Sequence, residues 1–218
     1  MSERSLVLLS GGVDSAVALW LRLRELPSDQ IFTLSINFYR RSGGEATAAR
    51  RLAQIAGVAR HIEIDLPFLR EAEDIAGLNE TLPAAGRLPP VFLPVRNMIY
   101  YSVAAHIAVT LGAEEVVVGH NSDDAESFPD VGYDFIQLFN QLLARSLPGL
   151  GARVSAPLIV LRKPEVWKLG LRLGVPLYET WSCWMAGERH CGKCPGCGQR
   201  KRMFKELGLE DPTPYEDV

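Results

Sequence analysis

The stretch whose reading decides the fold is residues 6–23, LVLLSGGVDSAVALWLRL. Leu6, Val7, Leu8 and Leu9 form an unbroken apolar run, the pattern of a buried strand. Ser10-Gly11-Gly12-Val13-Asp14-Ser15 predicts a tight turn, and Ala16 to Leu23 an apolar helix that stops before Pro27. A strand, a two-glycine loop and a helix N-terminus together make an anion site. Glycines let the backbone approach closely, amide N–H groups point outward, and the helix dipole favours negative charge. The Walker spacing GxxxxGK[ST] is absent, so a phosphate bound here rests on an SGGxDS loop instead. The plainer reading is a structural Gly-Gly turn.

At 218 residues the chain fits one α/β domain with a small appendage. Hydrophobic residues make up 47 % and charged residues 22 %, enough for a substantial core. A net charge of −3 gives no general attraction to nucleic acid or to an anionic membrane. The one basic cluster, Arg200-Lys201-Arg202 with Lys205, reads as a solvated helix face. No secretory signal and no bilayer-length apolar run are apparent, so a cytoplasmic protein is expected.

Outward from the opening stretch, Ile31 to Phe38 predicts a second strand, Glu45 to Ala56 a helix closed by Gly57, and Ala59 to Leu66 a third strand. Strands separated by helices argue for a parallel sheet with helices on both faces. Regularity is lost from Pro67 to Pro90, which reads either as a lid over a site or as a tolerated surface loop. A helix is expected over Met98–Leu111, with Asn97 as its N-cap. Arg96 sits at that helix mouth, where a cation opposes the dipole. It marks either a nearby anion or a surface ion pair. Glu114 to Gly119 predicts the fourth strand, running into His120-Asn121-Ser122-Asp123-Asp124 and on to Asp130. Loops after the carboxyl ends of strands carry ligands in open α/β sheets. This one offers oxygen ligands for magnesium and acceptors for an aminopurine-like ligand, or it simply caps the helix predicted over Tyr133–Leu147. Val154 to Leu161 reads as a fifth strand, and Lys163 and Pro164 open a helix over Glu165–Leu173.

All four cysteines lie together as Cys183-x7-Cys191-x2-Cys194-x2-Cys197. Four thiolates suit a closed tetrahedral zinc site. Disulfides do not suit a reducing compartment, and an iron–sulfur site lacks a redox step to serve. His190 beside a ligand reads as a solvated side chain. A helix over Gly198–Leu207 follows, which the metal would pin near the glycine loop.

The SGGVDS loop, the FLPVRN segment, the HNSDDAESFPD loop, Lys163 and ETWSC…HCGKCPGCGQR occur in order along nearly the whole chain. In these motifs the sequence resembles the 7-cyano-7-deazaguanine synthase (QueC-like) family of the PP-loop ATP pyrophosphatases. The resemblance implies a Rossmann-like fold of the adenine nucleotide alpha hydrolase type. It would have a five-stranded parallel sheet over residues 1–180 and a zinc-bound C-terminal segment over 181–218. It implies conversion of 7-carboxy-7-deazaguanine and ammonia to the nitrile with ATP, Mg²⁺ and structural Zn²⁺, on the route to queuosine and archaeosine, in a homodimer. Residue by residue, Leu9, Ser10, Gly11, Gly12, Val13, Asp14 and Ser15 match the ATP loop. Cys183, Cys191, Cys194 and Cys197 match the zinc ligands. Arg96, Asn97, Asn121, Asp124 and Asp130 match substrate-binding segments, and Asp14, Ser15, Lys163 and Arg96 the catalytic ones. The chain departs from the family pattern at Tyr39-Arg40-Arg41-Ser42, at Val95, where the family usually has glycine, and at Ala125 to Gly132. These departures fall where the substrate pocket is expected.

The expected chemistry follows from the carboxylate, which has no leaving group. Attack of its oxygen on the α-phosphorus of ATP releases pyrophosphate into the Ser10–Ser15 loop, and ammonia then displaces AMP. A tRNA thiolase is disfavoured because residues 1–182 contain no cysteine to carry sulfur. A lysidine-type tRNA ligase would need a larger basic surface. A zinc-stabilised binding module without turnover has no use for Asp14 and the acidic loop together. A QueC-like ligase acting on a different carboxylate, small molecule or protein, stays open.

Overall fold

A computed structural model describes residues 3–38, 41–67, 95–149, 151–185 and 187–216. Five parallel strands form one sheet: β1 (Ser5–Leu8), β2 (Ile31–Asn37), β3 (Arg60–Asp65), β4 (Glu115–Val117) and β5 (Arg153–Ser155). Their spatial order is β3-β2-β1-β4-β5. The order reverses direction between β1 and β4, which leaves a crevice beyond the carboxyl ends of these two strands.

The side-chain alternation of the central strands divides the core in two. Val7 and Val117 point to one face, packed by α1 (Val13–Arg22), α2 (Gly43–Ala56) and the two C-terminal helices. Leu6, Val116 and Val118 point to the other, packed by α3 (Arg96–Leu111) and α5 (Tyr133–Ser146). Both faces are covered, which is why β1 and β4 are apolar at every position of their centres rather than at alternate ones. The remaining helices are α4 (Ser122–Ser127), α6 (Lys163–Leu173) and α7 (Pro195–Glu206). Trp167 of α6 meets Phe204 of α7 edge-on at 5.3 Å, which seats the C-terminal helix on the same core as α1.

Several expectations are corrected. The fifth strand is only Arg153–Ser155; the apolar run after it folds into turns, with Ile159 N–H donating to Ala156 O and Leu161 N–H to Leu158 O. Pro157 has no N–H to give a ladder, and Leu158 is buried without being in a strand. Asn97 is not the cap of α3. Val95 takes that position in the left-handed region (φ 52°, ψ 22°), while Asn97 lies buried inside the first turn. Its backbone N–H donates at 3.2 Å to Asp130 Oδ2, so the cap comes from a distant loop rather than from the local sequence. The irregular stretch from Pro67 to Pro90, apart from Pro67 itself, lies outside the described residues.

Candidate functional site

The loop after β1 is held by its own hydroxyls. Ser15 Oγ donates to Gly12 O at 3.0 Å and lies 3.0 Å from Ser10 Oγ, and Ser10 Oγ accepts from Gly12 N–H at 3.1 Å. Gly11 is required on two counts. Its φ is +104°, and a β-carbon there would collide with the Glu45 carbonyl of α2. Gly119, after β4, is required by proximity alone, because a β-carbon would lie 2.6 Å from Ser15 N. The two strand ends therefore close on each other with only backbone between them. Trp181 N–H donates to Gly11 O at 2.8 Å, and Arg41 Nη2 to Ser10 O at 2.9 Å. The loop is thus tied from both sides.

The loop opens into a cavity of about 830 Å³. Of the loop residues, Leu9, Ser10, Gly12, Val13, Asp14 and Ser15 line it, and Gly11 supplies the turn behind them. Arg96, Asn97, Asp124 and Lys163 line it from other elements. Asn121 and Asp130 are not in its wall. Asn121 caps α4, accepting from Asp124 N–H at 3.1 Å and donating to Asp124 Oδ2 at 2.9 Å, and Asp130 caps α3. Cys183 borders the cavity; the other three cysteines stand behind it.

Electrostatics centre on Asp14. Burial, with Asp124 nearby, pushes its carboxyl up to about 7, and the Lys163 ammonium works against that rise. Asp14 Oδ1 is buried with no hydrogen-bond partner. Lys163 is positioned by the acids of α4. Its Nζ lies 3.0 Å from Asp124 Oδ1, and its backbone N–H donates at 2.8 Å to Asp123 Oδ2. Asp123 and Glu126 also pair with Arg162, each at 2.8 Å. The acidic loop therefore does two jobs: it fixes the start of α6, and it presents Asp124 beside Asp14.

The four cysteines form one cluster, their sulfurs all within 4.8 Å of one another, with Cys191–Cys197 and Cys194–Cys183 at 3.9 Å. Tetrahedral zinc with bonds of about 2.3 Å places its sulfurs about 3.8 Å apart. Backbone N–H groups of Met185 and Cys191 point at Cys183 Sγ, and those of Trp184 and Cys197 at Cys194 Sγ, all at 3.4 to 3.5 Å. The donor set and its backing of amides fit a four-thiolate zinc ion.

Two expectations about this segment are corrected. His190 is not solvated: it is 4 % exposed, accepts from Ser182 N–H at 3.1 Å, and packs against Trp181 with the ring centroids 4.2 Å apart and the planes tilted by 40°. Arg200 is not on a solvated face. It is 1 % exposed and donates to Thr213 Oγ1, Thr180 Oγ1 and Leu177 O at 2.6 to 2.9 Å. Lys201, Arg202 and Lys205 are exposed. Arg200 thereby clamps α7 to residues 177–180, one position before the Trp181 amide that holds Gly11. Arg41, Tyr101, His120 and Arg200 also line the cavity; His120 opens the HNSDDAESFPD loop and Arg200 closes the cysteine motif, while Tyr101 belongs to no motif and Arg41 to a segment that departs from the family pattern.

The family described as queuosine biosynthesis protein QueC matches residues 4–208. A 7-cyano-7-deazaguanine synthase from a Nitratiruptor species is 35 % identical over 99 % of this chain and 100 % of its own. One from Methanothermobacter thermautotrophicus is 34 % identical over 98 % and 100 %. Among solved structures, an NH3-dependent NAD synthetase from Campylobacter jejuni superposes with a TM-score of 0.53 at 20 % identity, over 81 % of this chain and 66 % of that one. An NMN synthetase from Francisella tularensis superposes with a TM-score of 0.52 at 19 % identity, over 96 % and 79 %. These two likenesses establish the Rossmann-like fold. With the glycine loop, the cavity and the cysteine cluster in the order described, and matched over most of its length, the chain belongs to the QueC family of queuosine biosynthesis proteins.

Proposed function

We propose that this protein is an ATP-dependent, carbon–nitrogen bond-forming ligase that converts 7-carboxy-7-deazaguanine and ammonia to 7-cyano-7-deazaguanine, releasing AMP and pyrophosphate. One observation carries the reading: an anion loop tied by its own hydroxyls, Ser10 to Ser15, shares a single cavity with Lys163, Arg96 and Asp14, whose buried Oδ1 has no hydrogen-bond partner. Phosphates accept from the loop amides and the N-terminus of α1. The substrate carboxylate attacks the α-phosphorus, and pyrophosphate leaves against the loop. Lys163 offsets the charge that develops on the phosphate oxygens, and Arg96 faces the carboxylate of the acid. Ammonia attacks the activated carbonyl carbon and AMP departs, giving an amide. A second activation and loss of oxygen gives the nitrile. The chain contributes positioning and fixed charge, and no side chain forms a bond to the substrate.

Asp14 and Asp124 fit a magnesium ion, since Asp14 Oδ1 is a buried oxygen with nothing to accept from. That ion would neutralise phosphate charge. The cysteine cluster would hold zinc in a closed, structural role. We treat residues 1–180 as the nucleotide-splitting body and 181–218 as a clasp that docks on it through Arg200 and Trp181. Tyr133, Leu138 and Leu142 are exposed along α5 and support a homodimer. No described helix is long and apolar enough to cross a membrane, and four cysteines grouped as metal ligands rather than paired in disulfides suit the cytoplasm. The test is the product of purified protein with Mg–ATP, ammonia and 7-carboxy-7-deazaguanine. A nitrile mass with AMP is expected, and ADP with phosphate would refute adenylation.

A further inference from the structure

Resting on that functional reading, we infer that His120 and Tyr101, together with Asn97, form the floor that receives the heterocycle of the carboxylate substrate. Nothing in the loop motif or in the resemblance assigns a role to either His120 or Tyr101. Buried polar groups are almost always hydrogen-bonded, and those left unpaired need a reason. Here Asn97 Nδ2, Tyr101 Oη and His120 Nε2 are all buried without a partner. All three residues line the same cavity. Two come from the first turns of α3 at positions i and i+4, so they stand one above the other on one face. The third comes from the end of β4, and its ring packs 6.0 Å from the Tyr101 ring. Helix and strand end therefore present one patch.

The patch is uncharged. His120 is pushed down to about 4 by burial, so at neutral pH it offers one donor and one acceptor nitrogen and no charge. Burial pushes the Tyr101 hydroxyl up, so it stays a neutral donor. Such a floor is poor for phosphates, which have the glycine loop and Lys163. It suits the edge of a planar nitrogen heterocycle, whose own donors and acceptors alternate.

Two heterocycles enter the reaction, adenine and the deazaguanine. Arg96 decides between them. It lines the cavity directly before Asn97 in sequence, and among the described residues it has no carboxylate partner within 4.0 Å. A cation with no close carboxylate partner among the described residues, at the mouth of the helix that supplies the floor, matches a ring bearing a carboxylate. Adenine bears none.

The experiment uses Tyr101→Phe and His120→Ala in the full chain. KM is measured separately for 7-carboxy-7-deazaguanine and for ATP, beside zinc content and thermal melting. Tyr101→Phe keeps the buried ring and removes only the hydroxyl, so it guards against simple misfolding. Each variant should raise KM for the acid about 10-fold, the scale of one hydrogen bond, and leave KM for ATP and zinc content within about 2-fold of wild type. A rise confined to ATP would assign the floor to adenine and overturn the proposal. Unchanged KM values for both substrates in an active, folded Tyr101→Phe would overturn it as well. If wild-type protein itself fails to bind or convert the acid, the functional reading falls and takes this assignment with it. That outcome is told apart because it appears before any substitution.

Discussion

Asp14 shows how a single residue links fold and chemistry. Its carboxyl titrates near 7 because it is buried beside Asp124. Between its unfolded value of 3.8 and about 7 the folded protein holds a proton that the unfolded chain has released. The group's contribution to stability is therefore complete below about pH 3.8 and is lost as pH rises through 7. Asp14→Asn should abolish turnover yet raise the stability of the ligand-free protein at pH 8, by up to about 4 kcal/mol since one pKa unit is about 1.4 kcal/mol. Denaturant melts at pH 5 and pH 8 check it, with the gain shrinking at the lower pH. Val95 makes the opposite case. A β-branched residue in the left-handed region is strained, and this one is exposed with no compensating contact from burial. Val95→Gly should stabilise by about 1 kcal/mol, the strain relieved less the entropy glycine adds to the unfolded chain. An unchanged midpoint would remove the strain argument. At this scale the sequence speaks where a role is local. Ser10, Asp14 and Lys163 sit in short motifs whose spacing carries their chemistry. Tyr101 and Arg41 look ordinary in the chain, His120 is only the first letter of a longer loop motif, and their meeting across the crevice gives them a role.

At the scale of elements, α7 is the part held by side chains rather than by the sheet. Its anchors are the cysteine cluster, the Trp167–Phe204 contact and the Arg200 clamp. Zinc removal by chelator should lower the melting temperature by about 5 to 10 °C, given roughly 2 to 4 °C per kcal/mol for a chain of this size and a metal worth several kcal/mol of folding energy. A melt unaffected by verified metal loss would mean the cluster is not structural. Arg200→Ala removes the guanidinium donor shared by Thr180 Oγ1, Thr213 Oγ1 and the Leu177 carbonyl and leaves a cavity where a fully buried side chain stood. It should cost about 2 to 4 kcal/mol in stability and raise KM for ATP through the Trp181–Gly11 contact, with Arg200→Lys restoring part of both. Most elements were legible from periodicity and punctuation. α2, for instance, is framed by Ser42, which accepts from Glu45 N–H, and by Gly57 in the left-handed region. The failures have physical causes. The run after Ser155 is apolar because it is buried, not because it is extended. The short helix α4 has no apolar period to announce it. The basic cluster on α7 hides one arginine that tertiary partners bury.

For the whole molecule, the crossing between β1 and β4 places one anion loop, one acid pair and one neutral floor around a single crevice. The fold was readable because both faces of the sheet are covered and its central strands are correspondingly apolar. The contents of the crevice were readable only in part, because its walls come from elements far apart in the chain. The exposed apolar side of α5 leads to a prediction at this scale: light scattering at micromolar concentration should give the mass of a dimer, and Leu138→Glu with Leu142→Glu should give that of a monomer. The central claim is that a substrate carboxylate oxygen bonds to the α-phosphorus of ATP. The most direct measurement supplies 7-carboxy-7-deazaguanine labelled with ¹⁸O in both carboxylate oxygens and follows the label by mass spectrometry. The account predicts ¹⁸O in AMP and none in pyrophosphate. Label in inorganic phosphate beside ADP, or AMP free of label, would contradict it.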